Sequence, residues 1–424
     1  MENFTLLFLV TLALGTMLQL WLASRQAAHV LSHQDKVPDT FAEKISLQDH
    51  RKAASYTLAK LSIERWGLVT STALLLLWTL GGLLHHLHQF WLQFDFPPLW
   101  QGTALTLSVL LLSTLLSLPL SAWQTFGVET RFGFNKSTVG RFIKDKTLEL
   151  LLSTLLGLPL ILAILWLMQS ANAYWWVWAW LVWMGFTLFI TWAFPTWIAP
   201  LFNKFEPLQE GSLRERLESL LQRCGFTSNG MFVMDGSKRS AHGNAYFTGF
   251  GKHKRIVFFD TLLEGLSHHQ VEAVLAHELG HFKRKHVTKM LLNSALLSLA
   301  GLALLGWLAQ QGWFYQSLGV TDQTPALAIL LFMLMMPVFT VFFSPLFSLL
   351  SRKHEFEADD YAAQQTQAQS LIDGLVNMYR DNASTLTPDP LYSAFYHSHP
   401  PASVRIAHLQ AKTAGATNQP YGAS

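Results

Sequence analysis

The sequence predicts an all-α multi-pass membrane protein of seven transmembrane helices, carrying a cytosolic-face α+β domain with a small β-hairpin or sheet. Three observations lead there. Half of the 424 residues are hydrophobic and only 13% are charged, where soluble domains carry about 25%, so lipid is the main solvent. Seven apolar runs lie at about 4–23, 66–84, 100–122, 148–169, 174–202, 287–309 and 326–350, each near or above the roughly 20 residues a spanning helix needs. The basic residues, placed on that topology, all fall on one side.

The first run is read as a retained span and not a signal peptide, because Glu2 precedes it without a lysine or arginine and its apolar core is long. The loop 24–65 then holds seven Lys/Arg, 123–147 five, 203–286 twelve and the segment after 350 five, with Lys289 at the start of the sixth span. The N-terminal stub and the short loops near 85–99, 170–173 and 310–325 hold none. All thirty basic residues therefore share one face, as the positive-inside rule requires, with the N-terminus outside and the C-terminus in the cytosol. Misplacing one span would destroy this pattern. Five units follow: a membrane part at 1–203 (spans 1–5), a candidate catalytic part at 204–286, spans 6–7 at 287–350, a second catalytic segment at 351–412, and a flexible tail at 413–424.

A net charge of +3 is too small to argue for nucleic acid. No run carries an ionisable residue near its middle, which argues against a transporter. The single cysteine, Cys224, excludes an internal disulfide and a thiolate metal cage; it reads as a small apolar residue. His85, His86 and His88 cluster in an outer loop and read as wetted interfacial residues before a metal site.

The stretch S-H-H-Q-V-E-A-V-L-A-H-E-L-G-H-F-K-R-K-H, 267–286, reads as a helix on the basic side. Ser267 and Gln270 form a capping-box start, Val271, Val274 and Leu275 make an apolar stripe, and Lys283 to Lys285 suit the C-terminal dipole. His277 and His281 are then i and i+4 on one face and can converge on one metal ion. Glu278 sits about 100° round the helix, beside that site, placed to take a proton from an activated water. A chain with 17 histidines can produce H-E-x-x-H by chance, and helical His pairs often only pack, so the remaining constellation matters.

A catalytic zinc usually has three protein ligands and an open position. The run H-E-F-E-A-D-D-Y-A after the seventh span supplies the best third candidate, Glu355. Asp359, one turn on, can fix a ligand histidine through a hydrogen bond. Glu357 and Asp360 point elsewhere and read as a solvated acidic face. Two crossings between His281 and Glu355 return the chain to the same side. The centre should lie near the cytosolic membrane interface, in easy reach of lipid-anchored or membrane-spanning substrates.

With these residues in hand, the chain resembles the type I CAAX prenyl protease family of integral-membrane zinc metallopeptidases. The blocks that carry the resemblance are G-S-K-R-S-A-H-G-N-A-Y-F (236–247) running on into K-R-I-V-F-F-D-T-L-L, H-E-L-G-H (277–281), S-R-K-H-E-F-E-A-D (351–359), and S-H-P-P with Arg405 beyond. The resemblance implies a zincin-like catalytic domain, one zinc per chain, Glu355 as third ligand, Asp359 behind the ligands, and seven helices walling an intramembrane chamber. It also implies that Asn244, Ala245, Tyr246 and Phe247 lie along the substrate, and that His399 and Arg405 act at the site, where a positive donor can stabilise an oxyanion. From the residues themselves, that segment and Arg255–Asp260 form a hairpin around Gly249–Lys254, whose free edge can add a peptide as a further strand; a plain structural hairpin is the alternative. The role of His242 stays open.

The function expected is hydrolysis of peptide bonds in membrane-associated or prenylated proteins, in processing and quality control, with strict CAAX-tail trimming as the alternative. An inactive scaffold or a transporter is the different-class alternative; intact ligands and base oppose the first. A monomer is expected. The compact chain and its ending favour a bacterial plasma membrane over the endoplasmic reticulum.

Overall fold

The computed structural model describes residues 2–170, 173–248 and 255–417. The chain begins with α1 (Glu2–His33), α2 (Leu47–Trp78) and α3 (Leu83–Leu92). Next come α4 (Pro98–Ala122), which runs into a π-helical turn at Trp123–Glu129, α5 (Val139–Ser170) and α6 (Trp175–Ala193). Helices α1 and α5 have 32 residues each, about 48 Å at 1.5 Å per residue. A hydrocarbon core of about 30 Å cannot contain them, so they project on the side of the basic residues.

A short sheet follows, formed by β1 (Phe205–Pro207), β2 (Met231–Met234), β3 (Ala245–Thr248) and β4 (Arg255–Phe259) in the order β1-β2-β4-β3. Strands β2 and β4 are parallel; the two outer pairings are antiparallel. The expected hairpin is the β3/β4 pair, with Tyr246 opposite Val257 and Phe247 opposite Ile256; its tip, 249–254, lies outside the described residues. Strand β3 is an edge strand.

Helix α7 (Ser212–Arg223) lies between β1 and β2, and α8 (Asp260–Gly265) leads into α9 (His268–Lys283). The capping box of α9 is formed from both sides by Ser267 and Gln270. Helix α10 (His286–Leu308) returns to the membrane and α11 (Pro325–Thr340) comes back. After a 3₁₀ turn at Val341–Phe343 the chain continues as α12 (Ser344–Gln365). Together 325–365 make 41 residues, about 60 Å. One half spans and the other carries Glu355 out to α9. Pro337, inside α11, removes a backbone donor just before the 3₁₀ turn. The chain ends in α13 (Ala368–Asp381), α14 (Pro390–Tyr396) and α15 (Ala402–Thr417). Residues 413–417, expected as loose tail, are helical; 418–424 lie outside the described residues.

Among the described residues six helices are long and apolar enough to cross a membrane, and α2 with α3, bent by 48°, makes a seventh if counted as one span. The second apolar run, 66–84, thus straddles a break at Gly81–Gly82, where Gly82 adopts φ +76°, a conformation that favours glycine. Leu6, Leu151, Leu155, Trp178, Leu292 and Leu296 are exposed, as lipid-facing positions should be. A core of Phe8, Trp78, Leu84, Leu105, Leu165 and Phe314 packs together the helix ends remote from the basic residues. Nearer the middle, α1, α2, α4 and α11 line an open pocket of about 540 Å³ with Thr11, Thr16, Gln19 and Thr72 in its wall.

The second core joins the sheet to α9, α12, α13 and α15 through Phe258, Val271, Leu275, Ala362, Leu375 and Ile406. Helices α9 and α12 touch backbone to backbone. A Cβ at Gly280 would lie 2.9 Å from Cα of Ala358 and 3.0 Å from its carbonyl oxygen.

Candidate metal centre

This close approach sets the site. Helix α9 contributes His277 and His281, one turn apart, and α12 contributes Glu355, 3% exposed. Nε2 of His277 lies 3.2 Å from Nε2 of His281 and 3.5 Å from Oε2 of Glu355, while Nε2 of His281 lies 3.3 Å from Oε1 of Glu355. These three side chains are the group of metal-donor type among the described residues, with all donor atoms within 4.8 Å of one another.

The donor set fits a divalent cation. Ligands at 2.0–2.1 Å in a tetrahedron stand about 3.3 Å apart, the spacing found here. Among the described residues Oε2 of Glu355 is buried without a hydrogen-bond partner, its neighbours Nε2 of His277 and Nη1 of Arg405 each standing off at 3.5 Å, a costly state unless the carboxylate serves something else.

Each histidine is gripped from behind. Nδ1 of His277 lies 2.9 Å from Oδ1 of Asp359, which is fully buried. Arg405 donates to both oxygens of Asp359, Nε to Oδ2 at 2.8 Å and Nη2 to Oδ1 at 2.5 Å, and its Nη1 is 3.5 Å from Oε2 of Glu355. Burial and the Arg405 charge disfavour a charged His277, yet hydrogen bonds to Asp359 and Glu355 outweigh both and raise its pKa to about 9. A cation competes with that proton. Burial also works against the Arg405 charge, and Asp359 more than restores it. Nδ1 of His281 lies 3.0 Å from Nδ1 of His286.

Glu278 is partly exposed and, among the described residues, no hydrogen bond or ion pair engages it. His399 lies on the far side of Glu355, its Nε2 3.3 Å from Oε1. Its side chain is 63% exposed, and with Lys60, Tyr379, Tyr392, Tyr396 and His397 it lines a half-open cavity of about 340 Å³. Burial by those walls, with Arg405 close by, lowers its pKa although Glu355 pulls the other way. The centre therefore opens into this cavity through His399.

Sequence-predicted residues divide accordingly. His277, His281, Glu355, Asp359, Arg405 and His399 come together. Arg405, expected as an oxyanion donor, is buried directly behind the donor set, with its guanidinium on Asp359 and beside Glu355. Glu357 and Asp360 are not a solvated face: Glu357 meets His286, and Asp360 accepts from His408 and Lys412, both at 2.7 Å. Asn244 and Ala245 to Phe247 lie in and just before the edge strand, with the Phe247 ring tilted at 58° against Phe282 of α9, centroids 5.1 Å apart. His242 acts as an anchor for that strand. It contacts Asn382 at 3.2 Å, Tyr56 at 3.3 Å and Glu129 at 3.4 Å, and stacks on Phe134. His85, His86 and His88 form no further donor group among the described residues. Cys224 is buried, its Sγ 3.5 Å from Gln365.

Gly280, His286 and Asn382 were missed. Gly280 lies inside the motif itself and His286 at its end, but a helix read alone shows neither the neighbour that Gly280 admits nor the turn that brings His286 back.

Residues 26–204 match the family described as CAAX prenyl protease N-terminal, five membrane helices, and residues 207–413 match peptidase family M48. The CAAX prenyl protease 1 homolog of Homo sapiens is 32% identical over 442 residues, 92% of each chain. CAAX prenyl protease 1 of Saccharomyces cerevisiae is 31% identical over 417 residues, 89% of each chain. The crystal structure of S. mikatae Ste24p aligns with a TM-score of 0.89 at 29% identity, covering 96% of this chain and 98% of that one.

Proposed function

The chain belongs to the CAAX prenyl protease 1 proteins of peptidase family M48, and from that premise we propose a zinc endopeptidase built on His277, His281 and Glu355, with Glu278 as general base. It is a multi-pass membrane metalloprotease. The observation that carries the finer reading is the convergence of three donor atoms from two helices beside an unpartnered Glu278.

A zinc ion held there would acidify water and polarise the scissile carbonyl. The chain's own residues do the rest. His277, His281 and Glu355 hold the ion, with Asp359 orienting His277. Glu278 takes a proton from the attacking water on its carboxylate and passes it to the leaving nitrogen. His399, exposed to the cavity, donates toward the developing oxyanion. Arg405 supports that charge from behind while it clamps Asp359 and Glu355. The edge of β3, from Asn244 through Ala245 and Tyr246 to Phe247, receives the substrate backbone as an added strand, which tolerates many sequences.

Substrates are membrane-associated proteins, prenylated ones included, as the relatives' names suggest; broad processing and strict CAAX trimming use the same centre. The enzyme acts as a monomer. Its units are 1–203, 204–286, 287–350 and 351–412. The site faces the cytosol, with the N-terminus outside. The compact chain pointed to a bacterial plasma membrane, but the relatives named above are eukaryotic and lend that no support; an endoplasmic reticulum membrane keeps the same orientation.

The test is purified Glu278→Gln against wild type on a prenylated C-terminal peptide and an unlipidated protein substrate. The variant should bind one zinc per chain and cut neither. Undiminished turnover would remove Glu278 from the mechanism.

A further inference from the structure

His286 opens α10 directly after α9 ends, and the turn between them is unusual. Lys285 takes φ 56° and ψ 35°, the left-handed region, where among the described residues only one other non-glycine, Ala383, has positive φ. Side-chain-bearing residues hold that conformation only where surroundings demand it. Its consequence is to fold His286 back against α9, 1% exposed although it is a polar residue at the mouth of a span. Nδ1 of its ring lies 3.0 Å from Nδ1 of His281, and its Nε2 lies 2.9 Å from Oε2 of Glu357. The ring stacks on His354, centroids 4.0 Å apart and planes within 16°. His354 and Glu357 flank Glu355 on α12, and Lys289 stands 3.9 Å from Glu357.

We infer that His286 and Glu357 are positioning residues for His281, forming a hydrogen-bonded chain from the metal ligand to a carboxylate through a second imidazole. The inference rests on the metal centre proposed above. Two ring nitrogens at 3.0 Å bond only if one carries the hydrogen and the other the lone pair. Nε2 of His281 faces the donor set, so as a ligand it is bare and the hydrogen sits on Nδ1. His281 then donates to Nδ1 of His286, whose own hydrogen is left on Nε2 and is donated to Glu357. Every donor has an acceptor, and the order ends on a negative charge. Asp359 does the same for His277 in one step. The His354 ring keeps His286 from tilting out of line. Simple packing of a buried histidine would need neither the left-handed Lys285 nor a carboxylate at the outer nitrogen.

The test compares zinc affinity, by chelator competition, for wild type, His286→Leu, His286→Asn and Glu357→Leu, with melting of the metal-free proteins alongside. Loss of such a partner costs about 10- to 100-fold in metal affinity, and His286→Leu should fall in that range. His286→Asn keeps an acceptor near the position of Nδ1 and should recover most of the loss. The absorption spectrum of the cobalt-loaded protein should shift with Leu and return with Asn. Zinc affinity of His286→Leu equal to wild type overturns the inference, as does an equal loss in Leu and Asn, which would mean packing alone. If His286→Leu fails to fold, Glu357→Leu at its partly exposed position decides: weakened zinc binding supports the chain and unchanged binding overturns it. A wild-type protein that binds no zinc would fail the metal centre itself, a distinct result.

Discussion

Nδ1 of His277 sits 2.9 Å from Oδ1 of Asp359, while the same carboxylate takes two bonds from Arg405. One buried acid thus orients His277, a ligand in the proposed centre, and neutralises a buried cation. Asp359→Asn should therefore fail twice. Zinc affinity should drop about 10- to 100-fold as His277 loses its partner. The metal-free protein should also be destabilised, by up to about 3–5 kcal/mol, because Arg405 loses the nearer of its two charge partners and keeps only Glu355 at 3.5 Å. Chelator competition and denaturant melting read the two losses separately; a variant as stable as wild type would show that Arg405 finds another acid.

Removing the metal should loosen the protein locally. Oε2 of Glu355 has ion-pair neighbours at 3.5 Å but, among the described residues, no hydrogen-bond partner, and a bound cation would satisfy it. Zinc at about a hundredfold excess over its dissociation constant stabilises by about 2.7 kcal/mol. Melting in chelator should come several degrees below melting in zinc, and readdition should restore both melting point and cleavage. Identical curves would argue that the three side chains hold no ion.

Much of this centre was legible from spacing alone. Four residues separate His277 from His281 and Glu355 from Asp359, and helical geometry turns each spacing into a shared face. What escaped was whatever depends on contact between distant segments. Arg405 looked like a free donor because nothing in its own stretch names Asp359 as its partner, 46 residues away. Glu357 was assigned to solvent because its helix face turns from the ligands; the residue that claims it, His286, arrives by a left-handed turn at a lysine, which no propensity foretells. The seven apolar runs were read correctly as long helices, but the break at Gly81–Gly82 was absorbed into the second one, since hydropathy averages over a bend.

Orientation can be checked with cysteines. Cys224 is buried, so background labelling is low. Gln93 and Gln410 are exposed, and the basic-residue pattern puts them on opposite sides. In sealed vesicles of known orientation, an impermeant thiol reagent should reach Gln93→Cys from the outer face and Gln410→Cys only from the cytosolic face. Labelling of both from one side would refute an odd number of crossings between them.

The contact between Gly280 and Ala358 gives the most local prediction. In an isolated helix Gly280→Ala would stabilise α9 by up to about 1 kcal/mol. Here the added methyl meets backbone, Cα of Ala358 at 2.9 Å and its carbonyl oxygen at 3.0 Å, and neither can swing aside as a side chain would. The helices must part, at a cost of about 1–3 kcal/mol for overpacking, so the net effect should be destabilising. Parting them also draws Glu355 on α12 away from His277 and His281 on α9, whose donors stand only 3.3–3.5 Å from it. Gly280→Ala should therefore lower both metal-free stability and zinc affinity, and Gly280→Val should lower both further. A stable Gly280→Ala protein with normal zinc affinity would mean that the two helices slide apart without moving the ligands, and that the glycine within the H-E-L-G-H motif serves no role in the centre.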